Sequence, residues 1–190
     1  MLIVSQNLAN FHFPLPPDTI FRINLAWINS LDELELILEK HKSHKIFLDM
    51  PIGRTKPPSN SYSMAELITI FTKYDNISFF AISNVNSELD IVEIQKILPK
   101  NIILVPKIES PEGVLNIQQI VSVLQSEKKI VMLDHDDLYS SLTKQNKSPS
   151  EFKIYFNKLV DFCIKNQVTL LRTIGVVFSD EEKKVSQYIK

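Results

Sequence analysis

The stretch Ile102-Ile-Leu-Val-Pro-Lys-Ile-Glu-Ser-Pro-Glu-Gly113 passes directly from an apolar run to the start of a helix. A short continuous apolar run is typical of a strand that is buried on both faces of a parallel sheet. Ser110-Pro111 then puts proline at the first helical position, where its missing N–H has no partner to lose. This stretch therefore predicts a buried strand that is followed at once by a helix.

The same unit of strand and helix recurs along the chain. Capping-box spacing, a serine followed three residues later by glutamate, marks helix starts at Ser30, Ser63, Ser148 and Ser179. Residues 7–19 carry three prolines and show no helical period, and we interpret them as a loop. Buried strands are predicted at residues 2–5, 20–26, 45–49, 77–83, 102–108, 129–134 and 168–174.

Strands that alternate with helices in this way form a parallel sheet with helices outside it. Seven such strands fit either an open doubly wound sheet or an incomplete TIM (β/α)8-type barrel. A complete barrel typically needs about 250 residues and this chain has 190, so an eighth strand would be missing or supplied by a partner. We predict a single α/β domain over residues 1–190, a shortened TIM-type barrel of parallel strands with outer helices.

The composition excludes several classes of protein. A formal charge of −1 and a pI of about 6.4 give no global field that would attract nucleic acid or an anionic membrane. One cysteine, Cys163, cannot build a disulfide framework or a cysteine-based metal cluster. No apolar run approaches the ~20 residues that span a bilayer. We expect a cytoplasmic protein with neither a nucleic-acid nor a membrane partner.

The arginines and glycines are few and fall at special places. Only three of the 21 basic residues are arginine, and only three glycines occur. All six lie at or just beyond predicted strand ends, where parallel folds bind their ligands. Arginine offers a planar fork of donors that suits carboxylate or phosphate. The six residues are Arg22, Arg54, Arg172, Gly53, Gly113 and Gly175.

Polar side chains at the strand ends predict a site. Side chains alternate along a strand, so Arg22 shares a face with Asn24, and Lys107 shares one with Glu109. Glu109 and Asp137 follow neighbouring strands and together could chelate a hard divalent cation. Any one such acid is more often a helix cap or a solvated loop residue. The prediction therefore depends on the combination of residues.

Other candidate residues have simpler interpretations. His135 lies among three aspartates, and we interpret it as a solvated loop residue as readily as a catalytic one. His12, His41 and His44 lack the spacing of metal ligands and are expected at the surface. Cys163 is expected in the core.

Five segments, in order, resemble the phosphoenolpyruvate/pyruvate superfamily of (β/α)8 barrels over residues 20–140. Pro106-Lys-Ile-Glu-Ser-Pro-Glu-Gly113 is similar to the S-K-I-E-N-x-E-G core of pyruvate kinase. Phe21-Arg-Ile-Asn-Leu-Ala-Trp27 resembles its R-x-N-F-S-H segment, and Phe47-Leu-Asp-Met-Pro-Ile-Gly-Arg-Thr55 its L-D-x-x-G-x-x-x-R-T segment. The stretch 80–90 resembles A-L-S-F-V-R-S-x-E-D, and 131–138 falls where the family has M-V-A-R-G-D-L.

The C-terminal third is closer to a sister branch. Asp136-Asp-Leu-Tyr-Ser-Ser-Leu142 is similar to the G-P-x-D-L-x-x-S segment of metal-dependent hydroxy-oxoacid aldolases and citrate-lyase β-type proteins. The resemblance implies that Glu109 and Asp137 hold Mg²⁺ or Mn²⁺. It also implies that Lys107 is a catalytic cation beside the enolate oxygen or the transferred group.

The resemblance further implies roles in substrate binding. Arg22 would bind a phosphate or carboxylate and take part in catalysis, and Arg54 would support it. Asn24 and Asp49 fall where pyruvate kinase helps to hold a monovalent cation, and they complete the predicted substrate-binding set.

Departures from pyruvate kinase weaken the case for ATP-coupled phosphoryl transfer. Ala26-Trp27 replaces the Ser-His pair that faces the nucleotide, Asp136 replaces a glycine, and the lid domain is reduced to residues 51–62. We therefore expect magnesium-dependent enolate chemistry on pyruvate, phosphoenolpyruvate or a related 2-oxo acid, foremost a carbon–carbon lyase. The alternatives are a non-catalytic barrel that acts as a homo-oligomer or partner subunit, and a phosphotransferase.

Overall fold

The computed structural model describes residues 3–5, 16, 18–53, 58 and 60–172. Within them the chain forms seven strands that pair in sequential order, each parallel to the next, in a sheet curled into a half-barrel. The strands are β1 Ile3–Ser5, β2 Ile20–Asn24, β3 Lys45–Met50, β4 Ile77–Ile82, β5 Ile103–Ile108, β6 Ile130–Leu133 and β7 Thr169–Arg172.

The sequential strand order decides between the two predicted architectures. A doubly wound sheet reverses its strand order at a switch point, and no reversal occurs from β1 to β7. The prediction of a parallel α/β fold is confirmed. The open doubly wound alternative is wrong, because each crossover adds its strand on the same side of the preceding one.

The described part of the chain contains seven α-helices between the strands: α1 Leu31–Lys40, α2 Met64–Lys73, α3 Leu89–Ile97, α4 Pro111–Leu115, α5 Ile117–Ser122, α6 His135–Lys144 and α7 Glu151–Lys165. Ser30 accepts a hydrogen bond from the N–H of Glu33, as its capping-box spacing predicts, and Ser110 accepts one from the N–H of Gly113 at the start that Ser110-Pro111 predicts. The helix predicted to start at Ser148 begins at Glu151, with Ser150 as its N-cap. Ser63 and Glu66 form a complete capping box. The predicted start at Ser179 lies outside the described residues.

Strand β2 ends two residues earlier than predicted. The Asn24 side chain accepts a hydrogen bond from the N–H of Ala26 at 3.0 Å and starts a 3-10 turn over Leu25–Trp27. An asparagine carbonyl that captures the backbone two residues on diverts the chain from the sheet ladder. The polar end of β2 is therefore a turn, although the apolar pattern continues through it.

The two faces of the sheet carry different cores. The larger core joins strand residues such as Phe21, Leu48 and Phe80 to the apolar sides of the helices. The smaller core contains buried residues from strands alone: Ile20, Phe47, Phe79, Ala81, Val105, Ile130 and Met132. Because successive side chains alternate, these residues occupy the inner face, away from the helices. The layer fills the interior of the half-barrel below its carboxyl-terminal mouth.

Two single-residue expectations have opposite outcomes. Cys163 is buried in α7, as predicted, and burial raises the pKa of its thiol to about 11. His41 is not at the surface: it is 9% exposed and its ring stacks on Phe21 with centroids 3.8 Å apart. His41 ends α1, and its ring packs against β2. This tertiary contact buries a polar side chain that the sequence pattern predicts at the surface.

None of the described helices is long and apolar enough to cross a membrane.

Candidate metal and anion site at the strand ends

Charged side chains replace apolar ones on the inner face near the carboxyl ends of the strands. Arg22 lies two residues beyond Ile20, Asp49 two beyond Phe47, and Lys107 two beyond Val105. Each therefore points to the same side as the apolar residue below it. The alternation that fills the lower interior with apolar groups thus builds a charged layer directly above it.

Asp49 joins two cations in this layer. Its Oδ2 accepts hydrogen bonds from the guanidinium of Arg22, from Nε at 3.1 Å and from a terminal nitrogen. Its Oδ1 lies 3.5 Å from Nζ of Lys107. The carboxylate is only 1% exposed, so both contacts are made out of water and screened little by salt.

Lys107 is surrounded by oxygen atoms. Nζ lies 2.8 Å from Oε1 of Glu109 and donates a hydrogen bond to Oγ of Ser83 at 2.9 Å. Burial alone would lower the pKa of Lys107, but the carboxylates of Asp49 and Glu109 outweigh it and raise that pKa above its ordinary value. The side chain is therefore a fixed ammonium at neutral pH, which favours an electrostatic role over that of an amine nucleophile.

Glu109 has a contact on each of its two carboxylate oxygens. It is 3% exposed, and its Oε2 accepts a hydrogen bond from the backbone N–H of Asn84 at 2.7 Å. Burial raises the pKa of Glu109 more than Lys107 and the Asn84 N–H lower it, and Asp137 raises it further. Each oxygen has one protein donor nearby and retains a lone pair for another partner.

Glu109, Asp134 and Asp137 form a cluster of carboxylates that could hold a metal ion. One oxygen from each lies within 4.8 Å of the others. Two opposed ligands on Mg²⁺, at about 2.1 Å each, lie about 4.2 Å apart, so the spacing of these oxygens is close to what one ion spans. All three donors are carboxylates, the ligands that hard divalent cations prefer. The residues therefore fit such an ion.

The local structure explains how the two aspartates meet. Asp134 follows β6 and caps α6, and its Oδ1 accepts a hydrogen bond from the N–H of Asp137 at 3.3 Å. Asp137 stands in the first turn of the same helix. A helix N-terminus favours negative charge, which reduces the cost of placing two acids side by side.

Four acidic side chains lie at this end of the sheet. Arg22 and Lys107 pair with two of them, Asp49 and Glu109. Asp134 and Asp137 add two more, so the corner is rich in the oxygen ligands that hard divalent cations prefer.

The structure brings most of the sequence-predicted residues together. Arg22, Asp49, Lys107 and Glu109 form one chain of ion pairs, and Asp137 joins it through the carboxylate cluster. Arg54 lies outside the described residues. Asn24 caps the turn after β2, and its role toward a monovalent cation, like that of Asp49, stays a prediction.

Sequence reasoning missed Asp134, Ser83 and Asn84. Asp134, like Asp49, is an acid directly after a buried apolar run, and that pattern could have identified it. Two further acids follow it at positions 136 and 137, and the sequence does not show which of the three lie close to Glu109. Ser83 and Asn84 follow β4, a strand end that sequence reasoning left without a candidate. Their contacts to β5 arise only from strand pairing.

Arg172 and His135 lie on the helix-facing side of the sheet, away from the charged layer. Arg172 shares its face with Leu170, which packs against the helix-facing core, and its guanidinium lies 5.9 Å from the ring centre of Phe156. His135 is the first residue of α6, half-buried, with its ring centre 5.7 Å from that of Phe156. The interpretation of His135 as a solvated loop residue is wrong, because α7 packs over it.

The comparisons with known proteins support the fold and give no information about the function. No protein-family model matches the chain, and no curated protein sequence matches it. Among solved structures the chain is similar to RipC from Yersinia pestis, with a TM-score of 0.59 and 13% sequence identity over 88% of this chain and 75% of RipC. At that identity the likeness is one of backbone architecture alone.

Proposed function

We propose that this protein is a metal-dependent enzyme that forms an enolate from pyruvate or a related 2-oxo acid. The observation that carries the proposal is the position of Glu109. Its buried carboxylate belongs both to the three-carboxylate cluster and to the ion-pair chain of Lys107. A cation site and a fixed ammonium therefore share one oxygen-rich corner at the mouth of the half-barrel.

The cluster Glu109, Asp134 and Asp137 would hold the metal, Mg²⁺ or Mn²⁺. When bound, such an ion supplies Lewis-acid stabilisation to an oxygen that gains negative charge. Lys107 adds a second, permanently placed positive charge, because its contacts to Ser83 and Glu109 hold it in position.

Arg22 is the candidate for binding the substrate's carboxylate or phosphate. It is partly exposed, whereas its partner Asp49 is buried, so one edge of the guanidinium is held while the rest reaches the mouth. The geometry suits a planar anion that presents two oxygens. The family resemblance alone implies that Arg54 supports Arg22 in binding this anion.

Carbon–carbon lyase chemistry is the preferred reaction. Cleavage of the C3–C4 bond of a 4-hydroxy-2-oxo acid, as its 4-hydroxyl group gives up a proton, releases an aldehyde and the enolate of the shorter 2-oxo acid. Protonation of that enolate gives the keto acid. Decarboxylation and enol–keto conversion pass through the same anion, so the charged layer would serve them too. The similarity of residues 136–142 to the aldolase segment favours cleavage.

Exchange of the methyl protons of pyruvate for deuterium tests the proposal. We expect exchange with Mg²⁺, none with EDTA, and at least a hundredfold loss in Glu109→Gln and Asp137→Asn. Asp136→Asn is the matched control, because Asp136 is a first-turn acid of the same helix outside the cluster. Absence of exchange together with absence of Mn²⁺ binding would refute the proposal.

A second candidate is a subunit that binds a partner without catalysis. Within the described residues β1 pairs only with β2 and β7 only with β6, so each of these strands has one side open to another strand. Light scattering of the purified protein tests this idea. A monomer at micromolar concentration would count against a self-associating subunit.

A further inference from the structure

The segment that follows β4, Ser83–Asn86, lies across the end of β5; we name it the β4 loop. From its contacts we infer that Asn84 is a positioning residue that fixes the carboxylate of Glu109 for metal binding. The inference rests on the metal site of the proposed function. It adds a residue that touches neither the metal nor the substrate in that proposal.

Three successive residues of the β4 loop contact the two key residues at the end of β5, Lys107 and Glu109. Ser83 accepts a hydrogen bond from Nζ of Lys107, and the N–H of Asn84 donates to Oε2 of Glu109 at 2.7 Å. The N–H of Val85 donates to the backbone carbonyl of Lys107 at 3.2 Å. One short segment therefore holds both the ammonium and the carboxylate of the site.

The β4 loop turns at the residue whose N–H contacts Glu109. Asn84 has φ of 57°, in the left-handed region, and this turn lies between two N–H groups that donate to the end of β5: its own to Glu109 and that of Val85 to Lys107. Asparagine and glycine tolerate this region, whereas β-branched residues strongly disfavour it. The Asn84 side chain also donates to the carbonyl of Ile52, which ties the loop to the turn after β3.

This anchor fixes the rotation of the Glu109 carboxylate. With Oε2 held by the Asn84 N–H, the other oxygen, Oε1, stays toward Lys107. Without the anchor the carboxylate is free to rotate and to give both oxygens to the ammonium. Groups that orient a metal ligand typically contribute 10–100-fold to metal affinity.

Titration of the whole chain with Mn²⁺, followed by electron paramagnetic resonance, tests the inference. We expect Asn84→Val to weaken Mn²⁺ binding at least tenfold, because valine cannot hold the left-handed turn. Asn84→Gly keeps both the turn and the N–H and should stay within about threefold of wild type.

Asn146 provides the matched control. It has φ of 55° at the other end of α6 from the carboxylates, so Asn146→Val brings the same backbone strain away from the site. Thermal melting should show similar losses for the two valine variants, while only Asn84→Val loses Mn²⁺ affinity. Should Asn84→Val fail to fold, Asn84→Ala replaces it, with a smaller loss of affinity expected in the same direction.

The outcomes separate this inference from the proposed function. If folded Asn84→Val binds Mn²⁺ as tightly as wild type, the positioning role is wrong and the metal site stands. An equal loss in Asn84→Gly would also overturn it, since that variant keeps the N–H. If wild-type protein binds no Mn²⁺, the metal site and the inference fall together.

Discussion

Oδ1 of Asp49 lies 3.5 Å from Nζ of Lys107, while the other oxygen of the same carboxylate accepts from Arg22. One buried acid therefore holds two cations that would otherwise repel each other. The arrangement places a rigid pair of positive charges at the mouth of the half-barrel, beside the carboxylates that could hold a metal. The contribution of these ion pairs to the free energy of unfolding can be measured with variants.

Asp49→Asn should destabilise the protein by about 3 kcal/mol, because it leaves the partly exposed Arg22 without its carboxylate and the buried Lys107 with Glu109 alone. Urea unfolding at neutral pH gives the loss. Glu35→Gln is the control: Glu35 pairs with Lys73 at 2.6 Å on the surface, and such exposed pairs contribute about 0–1 kcal/mol. Equal losses in the two variants would mean that the buried pairs contribute no more than a surface one.

Asp134→Asn should separate helix capping from metal binding. Asparagine caps a helix as well as aspartate does, so stability should stay within about 0.5 kcal/mol of wild type. The lost charge should nevertheless weaken Mn²⁺ binding at least tenfold. Asp134→Ala removes the cap as well and should cost about 1 kcal/mol in addition. Unchanged Mn²⁺ affinity in Asp134→Asn would remove this residue from the metal site.

Gly113→Ala should disturb the site through the backbone. A Cβ at this position would lie 2.5 Å from the carbonyl oxygen of Val85, in the β4 loop. We expect a net loss of about 1–2 kcal/mol, because the overlap exceeds the helix propensity that alanine gains. Mn²⁺ affinity should fall as well, since the loop that holds Glu109 must move.

Glu112→Ala, at an exposed position of the same helix, is the control for Gly113→Ala. It should leave the Mn²⁺ affinity unchanged and alter stability little. A Gly113→Ala protein with wild-type stability would contradict this prediction, because it would show that the β4 loop can move away from the added methyl group with no loss in the free energy of unfolding.

His41 should make the stability of the protein fall as pH decreases. Burial lowers the pKa of His41 below its ordinary value of 6.5, and His44 and Lys40 lower it further. Just below pH 6.5 the unfolded chain therefore binds a proton that the folded protein does not, and the free energy of unfolding decreases. The contribution is complete above this window and is lost as pH falls toward the folded-state pKa.

Urea unfolding of wild type and His41→Phe between pH 5 and 8 isolates this effect. The stability of wild type relative to the variant should decrease below about pH 6.5, since only the wild type must bury an imidazole there. His44 contributes to this difference because it lowers the pKa of His41, whereas histidines that do not interact with His41 cancel. A difference that is independent of pH would contradict the buried, neutral state of His41.

The secondary structure was predictable because its signals are local. Apolar runs, serine caps and prolines act within a few residues, and they located the strands and most helix starts correctly. Lys107 and Glu109 were predicted on one face for the same reason, since alternation along a strand is a property of the backbone. Strand β2 shows the limit, because Asn24 ends it through a side-chain contact that apolar patterning does not register.

The sequence by itself determined the elements, their order and the faces on which Arg22, Lys107 and Glu109 lie. Only the tertiary structure decided which groups meet: Asp49 with Arg22, 27 residues apart, and Asn84 with Glu109, 25 residues apart. The physical reason is that parallel strands become neighbours only after a whole helix has crossed between them. The distances that define the site are therefore set by sheet register and curvature, which residues spread over the whole domain determine together.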